Sequence, residues 1–249
     1  MLRHLFALIA LLCAAPAFAA DDPDARTILA RATDAHGGAR WADVGTLELV
    51  GSAVFWGNSG AAPTSAPDSY IMHRAFDPDR QAAHGAEGKL RITVSHQGQR
   101  VFTVGFDGTN TWNDKGVVPK AEADAYWASN FGFGIIRHAA KPGFTATRLA
   151  DSNVEGHPVY MVRLTDPVCS DSLFGIDQAS HAVRMVGFAT PRGWHVRSYT
   201  DFFRPAAAPW WLQAGKVTLT YNGVKQNEIY WHDVKVNAPI DASLFASPQ

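Results

Sequence analysis

A serine between glycines, a carboxylate beside a glycine and ten scattered histidines are the residues of this chain whose types could do chemistry. Gly57-Asn58-Ser59-Gly60 has the composition of a serine-nucleophile loop. A serine hydroxyl needs a histidine base and a carboxylate that orients it. In the loop's usual chain order both precede it, yet downstream of residue 20 only His36 stands before Ser59. The segment therefore reads as a Gly/Ser loop. Phe106-Asp107-Gly108-Thr109 places a carboxylate in a turn, but the chain holds no second copy to pair with it, so Asp107 reads as a turn residue. The histidines show no His-x-x-x-His spacing, and no Cys-x-x-Cys occurs. His195, His232 and Asp233 come nearest to a ligand set that strands could gather; the other reading is solvated or hydrogen-bonded strand histidines. No Gly-x-Gly-x-x-Gly or Walker lysine marks a phosphate loop. The sequence predicts no catalytic residue, no metal and no cofactor. A metal-assisted hydrolase is an alternative that elemental analysis of the protein would test.

What the chain has in abundance is aromatic surface, with 8 Trp and 14 Phe. A filled core can absorb many of these. An incompletely closed sheet plugged by a helix would instead leave an apolar cavity, the usual basis for holding a lipid or other hydrophobic ligand.

The elements that would position such a cavity can be read in order. Leu5 to Ala15 is an apolar run after Arg3 and His4, and Ala17-Phe18-Ala19 is a small-x-small cleavage site before acidic Asp21-Asp22. The run is shorter than the about 20 residues of a transmembrane helix. Residues 1–19 are expected to be an export signal, with the mature protein (20–249) a single periplasmic domain. Cys13 follows Leu12 rather than a small residue, so it reads as part of the signal and not as a lipidation site. Cys169 then remains alone and is expected to be buried as a small hydrophobe. With a net charge of -1 and no Lys/Arg run, the chain gives no electrostatic case for nucleic-acid binding.

Asp24 to His36 carries Ile28, Leu29 and Ala32 at helical spacing and stops at Gly37-Gly38; Trp41 falls in a short connection. Thr46 to Gly57, Tyr70 to Phe76 and Lys89 to His96 read as strands, with a bend or bulge at Gly51, and 77–88 as a polar connection. Phe102, Val104 and Phe106 alternate through a strand that turns at Asp107-Gly108, a primed-turn pair, and returns through Trp112. Pro119 to Ala139 is the strongest internal helix. Ala123, Tyr126, Trp127, Phe131 and Ile135 form its apolar stripe, and Gly132 and Gly134 predict a break or kink. The stripe fits either plain core or a lid over a cavity. From Phe144 onward seven further strands alternate with turns, favouring one antiparallel meandering sheet over a parallel βαβ arrangement.

In this order the motifs resemble the outer-membrane lipoprotein-sorting superfamily of the LolA and LolB type. Ala35-His36-Gly37-Gly38 with Trp41 and Thr46-Leu47 is similar to the opening of distant members. Phe106-Asp107-Gly108 with Trp112 resembles their hairpin. Val154-Glu155-Gly156 with Val159 to Val162, Ile176-Asp177 to His181 with Val183 to Met185, Tyr199 to Phe202, and Pro239-Ile240-Asp241 with Leu244-Phe245 resemble later strands and the close of the domain. The dedicated carrier's basic-proline-glycine stretch is absent, and Ser69 to Arg74 stands in its place. The resemblance implies an α+β, mainly antiparallel fold: an incomplete, half-open curved β-barrel with capping helices, a cavity for acyl chains, and no enzymatic activity.

The chain is thus expected to bind a lipid or an acylated protein as a carrier or sensor of the cell envelope, with envelope proteins as further partners and without a transmembrane anchor. The expected lining is Phe102, Val104, Phe106 and Trp112 from the hairpin, then Tyr126, Trp127 and Phe131 from the helix. Val217, Leu219 and Tyr221 are expected opposite. The same residues would serve equally in the alternative, a structural or interaction module with a filled core.

Overall fold

A computed structural model describes residues 22–57, 59–130 and 133–247. Residues 1–19, expected to be an export signal, and Phe131 lie outside the described residues. Helix α1 (Ala25–His36) begins where the Asp24 carboxylate accepts the Thr27 backbone N–H at 2.7 Å. Its buried stripe is the expected Ile28, Leu29 and Ala32. It ends at Gly37, whose φ of +135° suits glycine and where an added Cβ would lie 2.8 Å from the Trp210 carbonyl. Trp41 sits on a four-residue helix, α2 (Ala39–Ala42), rather than in a plain connection.

The strands follow as β1 (Thr46–Trp56), β2 (Pro63–Ser65), β3 (Ser69–Ala75), β4 (Lys89–His96), β5 (Gln99–Phe106), β6 (Thr111–Asn113) and β7 (Gly116–Val117). Helix α3 (Lys120–Asn130) and a 3₁₀ helix (Phe133–His138) interrupt them. The chain resumes as β8 (Thr145–Val154), β9 (His157–Thr165), β10 (Asp171–Asp177), β11 (Val183–Thr190), β12 (Gly193–Thr200), β13 (Lys216–Tyr221) and β14 (Val224–Val236), and a 3₁₀ helix, Ala242–Phe245, follows. All lie in one antiparallel sheet of order β7-β6-β5-β4-β3-β1-β14-β13-β12-β11-β10-β9-β8, with β2 paired to β1. Pairing of β1 with β14 joins the two halves. The end strands β7 and β8 do not pair, so the sheet is a curved half-barrel left open, and α3 with its 3₁₀ extension connects the two free edges.

Local chemistry explains the meander. Gln97-Gly98, Glu155-Gly156 and Asn222-Gly223 each hold two consecutive positive φ angles, the requirement of two-residue type I′ hairpins. Asp107-Gly108 does not form such a turn: only Gly108 has positive φ, and Asp107 Oδ1 accepts the N–H groups of Thr109 (2.8 Å) and Asn110 (2.7 Å) in a wider loop. The carboxylate closes that turn in place of a backbone pair. Gly51 sits at the expected bulge in the β1–β14 register. The strongest helix ends at Asn130 and resumes as 3₁₀ at Phe133, which matches the break expected near the glycines.

Cys169 corrects the expectation of burial. It is exposed, at φ +65° in a turn whose N–H groups at Val168 and Ser170 bond to the Asp166 carboxylate. The turn geometry, not the hydrophobicity of the thiol, decides its position. Two apolar clusters form the core. One combines α1 with the C-terminal strands; the other combines β4 with α3 through Leu90, Ile92, Val94, Ala123 and Trp127. Phe55, Tyr70 and Met72 pack against both.

Candidate functional site

The two clusters do not close on each other. Between them lies a cavity of about 760 Å³ on the concave side of the sheet. That volume suits a ligand of lipid size. Its walls follow from the period-2 alternation of the strands. On β3, Tyr70, Met72 and Arg74 project into it, and Phe76 continues the row. Leu47, Leu49 and Phe55 do so from β1, Phe102 and Val104 from β5, Arg197 and Tyr199 from β12, and Ile229 and Trp231 from β14. Ala123 and Tyr126 of α3 cover one side, and His36, Trp211 and Leu212 form another. Exposed Lys115 and Glu122 and half-buried Asn113 stand at the edge between β6 and α3.

Helix α3 is fixed near its C-terminal end to both halves of the sheet. Trp127 Nε1 donates to Thr111 Oγ1 on β6 at 2.7 Å. The Ser129 carbonyl accepts from His195 Nδ1 at 2.8 Å and from the Tyr221 hydroxyl, on β12 and β13. The helix therefore ties one half of the sheet to the other across the open side.

The expected lining residues divide accordingly. Phe102, Val104, Tyr126 and Val217 line the cavity. Phe106 and Trp127 face a smaller recess, about 340 Å³, on the far side of Ala123, where their rings meet edge to face with centroids 5.8 Å apart. Trp112 is buried on the opposite face of the sheet. It pairs with Gly105, where an added Cβ would lie 2.2 Å from its ring, and its indole N–H donates to the Phe245 carbonyl at 2.9 Å. Leu219 and Tyr221 share the concave face of β13 with Val217 but do not reach the cavity, and Tyr221 is occupied beneath the end of α3. Phe131 is outside the described residues. His195 is buried against Phe188 and α3, whereas His232 and Asp233 are exposed on β14, so the three do not converge.

The sequence reading missed two parts of the wall. The first is His36, which stacks on Trp41 with centroids 5.0 Å apart. Its Nε2 accepts the Val183 N–H at 3.0 Å, and Nδ1 lies 3.2 Å from the Leu212 carbonyl. Burial pulls its pKa down to about 4, so it is neutral at pH 7. The second is a buried ion cluster at the Arg74 end. Arg74 and Arg80 both reach Glu87 Oε2, the former at 3.0 Å, and Arg137 Nη2 lies 3.6 Å from Glu87 Oε1. Burial works against ionisation of Glu87, but the three guanidinium groups outweigh it and hold the carboxyl below its usual range. Burial lowers Arg137 to about 9 despite Glu87. One signal was present: Tyr70, Met72, Arg74 and Phe76 alternate, which puts a charge in an otherwise apolar row. The contribution of 77–88 was not visible, because Arg80 and Glu87 read there as ordinary surface charges.

No protein-family model matches this chain. No curated protein matches it in sequence. Solved structures do match it in shape. An outer membrane lipoprotein-sorting protein domain from Vibrio parahaemolyticus superposes with a TM-score of 0.52 at 10% identity, covering 87% of this chain and 94% of the other. A LolA superfamily protein from Nitrosomonas europaea, NE2245, gives 0.50 at 13% identity over 90% and 98%. A DUF1329 family protein from Desulfovibrio piger gives 0.52 at 8% identity over 90% and 98%. At such identities the likeness is one of fold, and the half-open antiparallel sheet with its bridging helix is a LolA-like fold.

Proposed function

We propose that this protein is a non-enzymatic carrier or sensor of the periplasm that binds a lipid or lipid-like ligand in the cavity between its two apolar clusters. The cavity carries the reading: about 760 Å³ of space under α3, walled largely by aromatic and aliphatic side chains. The fold shared with a lipoprotein-sorting domain supports the same ligand class. Residues 20–249 would form the one binding domain, delivered by the signal at 1–19. Each buried methylene contributes about 0.8 kcal/mol, so ten of them offer about 8 kcal/mol before the costs of ordering. Among the described residues no helix is long and apolar enough to cross a membrane.

The test uses the neutral apolar probe N-phenyl-1-naphthylamine on protein freed of lipid. The expected result is saturable, blue-shifted fluorescence at one probe per chain. Val217→Trp, which extends a half-buried wall residue into the space, is expected to remove it while the far-ultraviolet spectrum is kept. No uptake by the unaltered protein would overturn the proposal and favour an interaction module of the envelope.

A further inference from the structure

The cavity wall is mostly aromatic and aliphatic, with Arg197 of β12 near Tyr70, Tyr126 and Tyr199 and a cluster of three arginines at one end. The register shows where that end lies. Arg74 pairs with Leu47 and Leu90, while Tyr70 pairs with Gly51 and Val94, which in turn pairs with Phe102. Four residues of β3 separate the two levels, about 13 Å at 3.3 Å per residue. Phe102 therefore marks one level of the cavity and Arg74 another, and Arg80, Gly134 and Arg137 gather at the Arg74 level. Arg80 and Arg137 side chains are 4% exposed and Arg74 13%.

Among the described residues, direct ion pairing at this end is uneven. Three guanidinium groups share the single carboxylate of Glu87. The Asp166 carboxylate also acts on Arg80, but without a direct ion pair; it accepts the N–H groups of Ala83, Val168 and Ser170. Asp77 acts on Arg80 from a turn where it accepts the Asp79 N–H. His138 adds no charge at pH 7, because burial first and then Lys141 hold it down to about 4. Arg80 is anchored through the carbonyls of Ala82 and Ala83. Arg137 is held less fully: its Nε donates to the Gly134 carbonyl at 3.4 Å, but its Nη2 has no hydrogen bond, and neither has Glu87 Oε1. Its guanidinium rests on the Phe76 ring, 3.8 Å from the centroid, and lines the cavity. Closing the gap to Glu87 would satisfy one N–H and still leave that carboxylate shared among three guanidinium groups. A largely apolar slot ending on a buried guanidinium so placed suits an amphiphile whose head is anionic, because such a group supplies both the charge and the acceptors.

Resting on the lipid-binding reading above, we propose that the ligand is a single-chain anionic amphiphile, seated with its carboxylate or phosphate against Arg137 at the Arg74–Arg80 end and its tail among Met72, Val104 and Phe102. The test is calorimetric titration at pH 7.5 with three ligands of one chain length: dodecanoate, dodecyl phosphate and 1-dodecanol. At least one anion is expected to bind about tenfold more tightly than the alcohol, the scale of one charge-assisted hydrogen bond. Which of the two anions binds better separates a fatty acid from a lipid phosphate. Arg137→Met is expected to abolish the preference and to keep the affinity for dodecanol. Equal binding of all three ligands by the unaltered protein would overturn the head-group assignment and leave the cavity reading standing. Binding of none, together with no uptake of the neutral probe, would overturn both. A preference that survives in Arg137→Met would remove Arg137 from the site. The comparison in the unaltered protein does not depend on that variant folding. A second readout there is dodecanoate labelled with ¹³C at its carboxyl, which is expected to stay ionised in the complex at pH values where free fatty acid is protonated; titration at its ordinary value would overturn the ion pair.

Discussion

Acidification should destabilise this protein through His36, and the hydrogen bonds show why. The Val183 N–H can meet only a lone pair, so Nε2 is unprotonated and the ring hydrogen sits on Nδ1, donated to Leu212. Protonation would set a second N–H against that of Val183 in a buried site. The folded pKa is lowered from 6.5 to about 4, with burial the main cause. Below pH 6.5 the unfolded chain therefore binds a proton that the folded chain refuses. The stability present above pH 6.5 is lost as pH falls towards 4 and changes little further from this group. At about 1.4 kcal/mol per pH unit over that interval, the loss is about 3 kcal/mol. His138 and His195, lowered by burial to about 4 and about 3, add losses of the same sign. Asp177 and Glu228, held at about 2 by their partners, lose their contributions chiefly below pH 4. The assay is urea unfolding followed by tryptophan fluorescence at pH 7.5 and pH 4, for the natural protein and His36→Gln. The variant should be weaker at pH 7.5, yet its decline between the two pH values should be about 3 kcal/mol smaller, since the other histidines cancel in the difference. An identical decline in both proteins, or a His36 imidazole resonance titrating near 6.5, would refute the reasoning.

Three further outcomes are expected. Trp127→Ala removes a buried indole and its bond to Thr111, and should cost about 3–5 kcal/mol in unfolding free energy, because the residue clamps α3 rather than lining the main cavity. Glu87→Gln removes the one carboxylate that three buried guanidinium groups share and should lower stability by about 3–5 kcal/mol; a change below 1 kcal/mol in denaturant titration would contradict the buried-cluster description. Gly51→Ala would place a Cβ 2.0 Å from the Tyr230 carbonyl at the seam of the two half-sheets, so its cost should exceed the about 1–3 kcal/mol of ordinary overpacking, read as a fall in melting temperature.

Sheet architecture was readable because its determinants are local. Alternation in Lys89–His96, two-residue turns such as Asn222-Gly223 and the glycine break after α3 each act within a few residues. The pairing of β1 with β14 is a contact between distant segments, and only the resemblance to the lipoprotein-sorting superfamily implied the half-open shape. Side-chain destinations were less readable for the same reason. Phe102 and Val217 lie on the cavity wall, but nothing in the order of residues shows that Tyr221 is taken up by Ser129 of α3 or that Trp112 lies over Gly105 on the other face. Arg80 and Glu87 are the clearest omission: charge in an irregular segment ordinarily means solvent, and only the fold shows that each was buried with the other.

The most direct test of the central claim is native mass spectrometry of the purified mature protein, followed by lipid extraction of the same sample. A stoichiometric adduct that extracts as an acyl-chain amphiphile is the expected result. A clean unliganded mass that takes up neither added fatty acid nor phospholipid would contradict lipid binding in the cavity.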